Sequence, residues 1–256
     1  PLPAGQACFQ GEPVAVVIAE TTYQAADAAN LVEVESEVLP AATDLEKALN
    51  GGTTAHVGAP DNVGWDLTYI PWEASDDAFK TADVTVKQRI HQQRLAPTPM
   101  ETRAVAAEYS QSDNTMTIWL SSQNPHFIRL FVGGALGMGE HKVRVISQDV
   151  GGGFGSKISP YPEDYLVPGA AKLLGRPVKW TESRTESIQT TTHGRGQYFD
   201  VELALTRHGQ RHCRRVPPML GMRPDRVLFH GCHARECLPG GGAQTRLARR
   251  GRTCAR

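Results

Sequence analysis

A chain of 256 residues with 40% hydrophobic content carries enough apolar side chain for one large domain or two small ones, and it has no apolar stretch long enough to cross a bilayer as a helix. Its formal charge of zero averages two different sequences: 15 Lys and Arg against 25 Asp and Glu up to Thr206, then 12 Arg, no Lys and two acids (Asp225 and Glu236) from Arg207 onward. Cys8 is the only cysteine before Thr206, which argues against a disulfide framework in the body and fits a reducing, cytoplasmic compartment.

The first residues, Pro1-Leu2-Pro3-Ala4-Gly5-Gln6, hold neither an initiator Met nor a basic-then-apolar leader, so a fragment that is not exported is expected. Residues 13–20 form a short apolar, β-branched run and predict a buried strand. Thr21 and Thr22 offer an N-cap to an Ala-rich helix over 23–31. Residues 32–38 alternate and predict a half-buried strand. A short helix over 44–49 stops at Gly51-Gly52. Gly58, Pro60, Gly64 and Pro71 mark a connector and a domain boundary.

Ser75 predicts a capped turn of helix at 76–81, and 83–95 a long strand. Residues 102–109 and 115–121 predict a hairpin across 110–114. Asn124 followed by Pro125 predicts the start of a helix running to about 136. Residues 143–150 predict a buried strand, and 163–174 a helix ending at Gly175. Pro168 inside that helix predicts a kink or break. Strands follow at 177–181 and 197–205.

The stretch that organises the chain is Gly151-Gly152-Gly153-Phe154-Gly155-Ser156-Lys157. Its glycines allow positive φ and close approach of backbone to a ligand, and successive amides in such a turn can cradle an anion. A P-loop needs glycine just before its Lys-Ser/Thr pair, whereas here Ser156 precedes Lys157 and Ile158 follows. The dinucleotide fingerprint fails too, because Ser156 stands where its third glycine belongs. On the glycines alone, a phosphate or pterin site and an unliganded strand-end loop both stand. Lys157 could reach a phosphate or lie on the surface, and Glu101 and Arg103 read as a structural ion pair. Ser156 has no visible His/Asp partner. His91, His126 and His193 lack metal-ligand spacing.

Residues 91–103, 121–126 and 148–157, in that order and spacing, resemble the molybdenum-binding large subunit of the xanthine dehydrogenase, aldehyde oxidase and aerobic carbon monoxide dehydrogenase family. Residues 13–49 are similar to that family's α/β hammerhead domain, and the resemblance covers about 11–206. It implies an α+β chain: a truncated hammerhead domain (1–55), a connector (56–74), the first part of a molybdopterin-binding domain (75–206), and an irregular tail (207–256). It implies that the Gln123 amide lies beside the molybdenum oxo ligand, and that Gly152, Gly153, Phe154 and Gly155 contact the molybdopterin and the molybdenum centre. The implied cofactor is molybdopterin, as its cytosine dinucleotide, with molybdenum. The implied partners are an FAD-binding medium subunit and a 2Fe-2S small subunit, and the implied reaction is oxidation or hydroxylation of a small molecule at carbon with water.

Position 158 separates branches. Purine-oxidising members resemble one another in a substrate-binding glutamate after this lysine. Ile158, with Tyr161-Pro162-Glu163-Asp164 downstream, resembles the carbon monoxide dehydrogenase-type branch. Family members continue for several hundred residues past this point, including the glutamate that acts as general base. No catalytic residue and no metal ligand is therefore assigned, and the fragment is expected to be inactive alone. The alternatives are a non-catalytic pterin- or nucleotide-binding module, or a remnant without function.

The switch at Thr206 is the pattern expected of a reading-frame shift in a GC-rich gene, which favours Arg, Gly, Pro and Ala. Such a tail would be disordered. A zinc site from Cys213, His230, Cys232, His233 and Cys237 is the sharper alternative, but its spacing matches no paired ligand motif. With Phe229 the only aromatic in the tail, neither a specific nucleic-acid nor a membrane partner is expected.

Overall fold

The computed structural model describes residues 2, 3, 5–56, 58–63, 73–208, 211–215 and 244–247. In chain order the elements are β1 (Gln6–Ala7), α1 (Thr22–Ala29), β2 (Ser36–Leu39), α2 (Leu45–Leu49), α3 (Glu73–Lys80), β3 (Val84–Leu95), β4 (Ala104–Ser110), β5 (Thr115–Leu120), α4 (Pro125–Ala135), β6 (Val143–Ile146), α5 (Pro162–Leu174), β7 (Val178–Thr181), α6 (Arg184–Thr190), β8 (Gly194–Leu205), β9 (Arg211–Arg215) and β10 (Gln244–Leu247). They group into two compact units, one of residues 1–38, 96–193 and 245–256, the other of 39–95 and 194–244. The result is a mixed helix-and-sheet fold with no closed barrel among the described residues.

The first unit is built on a four-stranded sheet in the order β6-β5-β4-β7. The expected hairpin is β4 and β5, in register from Val105 opposite Leu120 to Ser110 opposite Thr115. Its turn holds Asn114 at φ 53, a left-handed conformation that asparagine tolerates. β6 runs parallel to β5, so the chain must cross over, and α4 is the crossover. Alternation along the hairpin puts Val105, Ala107, Met116, Ile118 and Leu120 on one buried face. Ile128 and Val132 of α4 and Val167 and Ala171 of α5 complete this cluster. One helical layer thus covers one sheet face around a single apolar core.

Local chemistry sets the helix ends. The Asn124 side chain accepts from the Phe127 amide, and Pro125 occupies the first turn of α4, where its missing donor costs nothing. α1 begins at Thr21 with a reciprocal cap to Gln24. α5 ends at Gly175 in the left-handed conformation. Pro168 does not break α5, which runs unbroken through it. The proline ring is fully buried, so it gains apolar burial that offsets the one main-chain hydrogen bond it cannot make.

The run at 13–20 is not a strand. Val14, Val16 and Ile18 are exposed, and no described strand pairs with the segment. A strand exists only by sharing a ladder, so apolar content alone does not make one. The strand expected over 32–38 is likewise confined to β2. Helix α6 was not anticipated at all.

The second unit carries the sheet β3-β8-β9. β3 and β8 pair antiparallel from Val84 opposite Leu205 to Leu95 opposite Gly194. Arg89 crosses this ladder to Asp200 at 2.6 Å and also pairs with Glu46 in the first turn of α2. Buried Asn62, at φ 58, bonds the Ala55 amide and the Ala48 and Thr53 carbonyls, pinning the chain after α2.

The tail is less irregular than expected. β9 pairs antiparallel with β8, and β10 with β1. With arginine at positions 211, 214 and 215, the sequence there has no apolar–polar alternation from which a strand could be read. The rest of the tail, including His230, Cys232, His233 and Cys237, lies outside the described residues, as do residues 57 and 64–72 of the connector.

Candidate cofactor site

Sheet register brings four separate segments together. Val105 lies opposite Leu120, Ala104 opposite Thr181, and Trp119 beside Ile146. The chain therefore enters β4 and leaves β5, β6 and β7 at the same end of the sheet. Residues 96–103, 121–124, 147–157 and 182–184 meet there. The carboxyl ends of parallel strands are where open sheets with helical crossovers bind ligands.

The glycine loop leaves β6 through a sharp path. Asp149, Gly152, Phe154 and Gly155 have φ of 51, 96, 52 and 89°. Left-handed backbone costs about 1–2 kcal/mol at a residue with a side chain, so Asp149 and Phe154 need external restraint. Gln123 supplies it. Its Oε1 accepts from the amides of Gly155 at 3.0 Å and Lys157 at 3.3 Å, while its backbone N–H donates to the Lys157 carbonyl at 2.9 Å. A Cβ on Gly153 would lie 2.3 Å from Gln123 Oε1, closer than real Cβ atoms come. Glycine there is what lets the side chain of Gln123 slide under the loop.

Both groups that Gln123 Oε1 meets are N–H donors, which decides the amide orientation: the oxygen faces the loop. Nε2 is left with two donors and no acceptor among the described residues. The amides of Gly153 and Phe154 likewise donate to nothing among them. Phe154 itself is 77% exposed.

Beneath the loop, the Ser156 amide and hydroxyl both donate to the Gly153 carbonyl, at 2.9 and 2.8 Å. The Tyr161 hydroxyl donates to the Ser156 carbonyl and accepts from the Thr192 amide. Arg103 stacks its guanidinium 3.7 Å from the Tyr161 ring centre. It also forms buried ion pairs with Glu182 at 2.6 Å and Glu163 at 2.9 Å. Burial would lower the proton affinity of Arg103, but Glu163 and Glu182 outweigh it and raise its pKa above the usual arginine value.

The expected Glu101–Arg103 pair does not form; each residue has other partners. Glu101 Oε2 instead accepts from the Gly151 amide at 2.7 Å, the Ser121 hydroxyl at 2.7 Å and Lys157 Nζ at 2.8 Å. Lys157 is neither on the surface nor free for a phosphate: its side chain is 1% exposed. Partial burial pushes the Glu101 carboxyl up, but the bonds from Lys157, Ser121 and Gly151 together hold it below the ordinary carboxylate range. At the first position of α6, Arg184 donates to the Pro99 and Met100 carbonyls at 2.8 and 2.7 Å.

These supports (Glu101, Tyr161, Arg184) escape a motif-based reading. One signal was present: Ser183 with Glu186 three residues on is a capping box, and it would have placed α6 and with it Arg184.

Residues 56–216 match the molybdopterin cofactor-binding domain family. The chain belongs to that family. This molybdopterin cofactor-binding domain is 38% identical over 206 residues to the nicotine 6-hydroxylase large subunit of Paenarthrobacter nicotinovorans, across 79% of this chain and 25% of that one. It is 37% identical over 236 residues to the carbon monoxide dehydrogenase large chain of Hydrogenophaga pseudoflava, across 87% and 28% respectively. Among solved structures it is similar to quinoline 2-oxidoreductase from Pseudomonas putida 86, with a TM-score of 0.73 and 35% identity over 81% of this chain and 26% of that one. The chain thus spans about a quarter of the length of these relatives. The family match runs to residue 216, past the point at which strand periodicity fades at Thr206 and across β9.

Proposed function

We propose that this chain is part of the large subunit of a molybdenum hydroxylase, and that the loop at 151–157 with Gln123 receives the molybdopterin cofactor. The observation that carries this reading is the Gln123 amide, whose oxygen is consumed by the Gly155 and Lys157 amides so that only its donors face outward. An uncharged double donor suits a metal oxo ligand, because it can hydrogen-bond the oxygen without adding charge. The unpaired Gly153 and Phe154 amides suit a pterin or phosphate oxygen for the same reason, and the fit is therefore good.

When bound, the cofactor supplies the redox chemistry, oxidation of a substrate carbon with water as the oxygen source. The part of the chain is to orient it: Gln123 donates to it, Gly152 and Gly155 let the backbone approach, and exposed Phe154 offers an aromatic face beside it. In this reading the metal enters with the cofactor. The cytosine dinucleotide form, an FAD-binding and a 2Fe-2S partner subunit, and a cytoplasmic setting belong to the same reading. So does the division into part of a hammerhead domain (1–55) and part of a cofactor domain (75–206). Closer identity to the carbon monoxide dehydrogenase and nicotine hydroxylase chains than to the 33% of a xanthine dehydrogenase subunit favours the branch that lacks the purine-binding glutamate, where Ile158 stands.

The test is the molybdenum and pterin content of the purified chain, expressed alone and together with FAD- and 2Fe-2S-binding subunits. Metal and pterin in equal amounts, in either condition, support the reading. No metal in both would overturn it, and pterin without dye reduction in the assembled complex would point to a binding module instead.

A further inference from the structure

The Gln123 side chain that faces the cofactor holds only part of the loop; a second group fixes where the loop begins and ends. Gly151 and Lys157 are the first and last residues of the loop. Both bind the same atom, Glu101 Oε2, through a backbone amide at 2.7 Å and an ammonium at 2.8 Å. One oxygen therefore closes the two ends of a seven-residue loop, and Ser121, at the end of β5, anchors that oxygen to the sheet at 2.7 Å. The grip is passed on. Lys157 gives its amide to Gln123 Oε1, and its carbonyl accepts from the Gln123 backbone N–H and the Ser122 hydroxyl, so the place of Lys157 sets the aim of Gln123 Nε2. Glu101 is itself held from both sides, by its own amide on the Gly151 carbonyl at 3.2 Å and by Arg184 on the two preceding carbonyls.

We propose that Glu101 is a positioning residue: it clasps both ends of the 151–157 loop and through Lys157 aims the Gln123 amide, without touching cofactor or substrate itself. This rests on the reading of the loop and Gln123 as the cofactor cradle. The clasp needs a carboxylate, because its charge strengthens each of the three hydrogen bonds on the one oxygen and compensates a buried ammonium. Lys157 is the only cation bonded to it among the described residues.

The test is hydrogen–deuterium exchange on the cofactor-free chain, in wild type, Glu101→Gln and the double variant Glu101→Gln/Lys157→Met, with molybdenum retention measured in parallel. Gln keeps the shape of Glu101 but strands the ammonium, while the double variant removes the stranded charge and so separates loss of the clasp from loss of folding. The proposal expects the amides of Gly151, Gly155, Ser156 and Lys157, hydrogen-bonded in the loop, to exchange roughly tenfold faster or more in both variants, with those of β4 and β5 unchanged in the double variant. It expects molybdenum per chain to fall with them. Unchanged exchange at 151–157, acceleration spread equally over β4 and β5 in the double variant, or undiminished molybdenum in Glu101→Gln would each overturn it. Local loosening in a chain that never takes up metal would leave the clasp standing and remove the cofactor reading alone.

Discussion

Gly153 has room for a hydrogen and nothing more, since Gln123 lies where its Cβ would be. Gly153→Ala should force Gln123 aside, cost about 1–3 kcal/mol by overpacking, and lose molybdenum more steeply than stability. Denaturant unfolding set beside metal content separates the two effects. Gly155 is the contrasting case: a Cβ there meets open space, but φ is 89°. Gly155→Ala should cost about 1–2 kcal/mol through backbone strain alone. Arg103 is deeper still. Arg103→Met leaves Glu182 buried without its cation, and a loss of about 3–5 kcal/mol is expected in urea or thermal unfolding. Glu101 adds a pH dependence. Its carboxyl is held below the ordinary range in the folded loop, so its contribution is full above about pH 5 and is lost as the pH falls below about 4. Exchange at 151–157, corrected for intrinsic rates, should rise on acidification through that window in the wild type and stay flat in Glu101→Gln.

Elements were legible where their signals are local. The β4–β5 hairpin, the Asn124-Pro125 start of α4 and the Gly175 end of α5 each follow from residues within a few positions of one another, and each is where the sequence puts it. Elements failed where the deciding partner is remote. The apolar run at 13–20 has strand composition and no ladder, and Pro168 sits inside an unbroken helix because the tertiary core receives its ring. The glycine loop and Gln123 could be named from motifs, but Glu101 could not. Its role depends on register that brings β4's entry beside β5's exit, and no spacing in the sequence shows that. The missed helix α6 gives an element-scale test. Ser183→Ala removes the cap on the Glu186 amide and should cost roughly 1 kcal/mol, with faster exchange in α6 and in the 99–101 segment that Arg184 holds.

At the scale of the molecule, an acidic body of 15 cations and 25 anions up to Thr206 is joined to an arginine-rich end. The family match and β9 continue to about residue 216, so the stretch from 206 to about 220 is where a break in the coding frame is to be sought. Sequencing the coding DNA across codons 206–220 tests this: an alternative frame that resumes the family pattern is the expected result, and an open frame with no such continuation would count against it.

The cradle is also a long-range object. Fifty residues separate Glu101 from Gly151, and 85 separate Pro99 from Arg184. Closing such distances is the slow part of folding, so the cradle is among the last features of this unit to form. A nascent chain stalled before residue 184 has already made Gln123 and the glycine loop, yet it lacks the arginine that secures the strap carrying Glu101. The strap is therefore complete only once α6 has docked, whatever the order in which the rest of the unit folds.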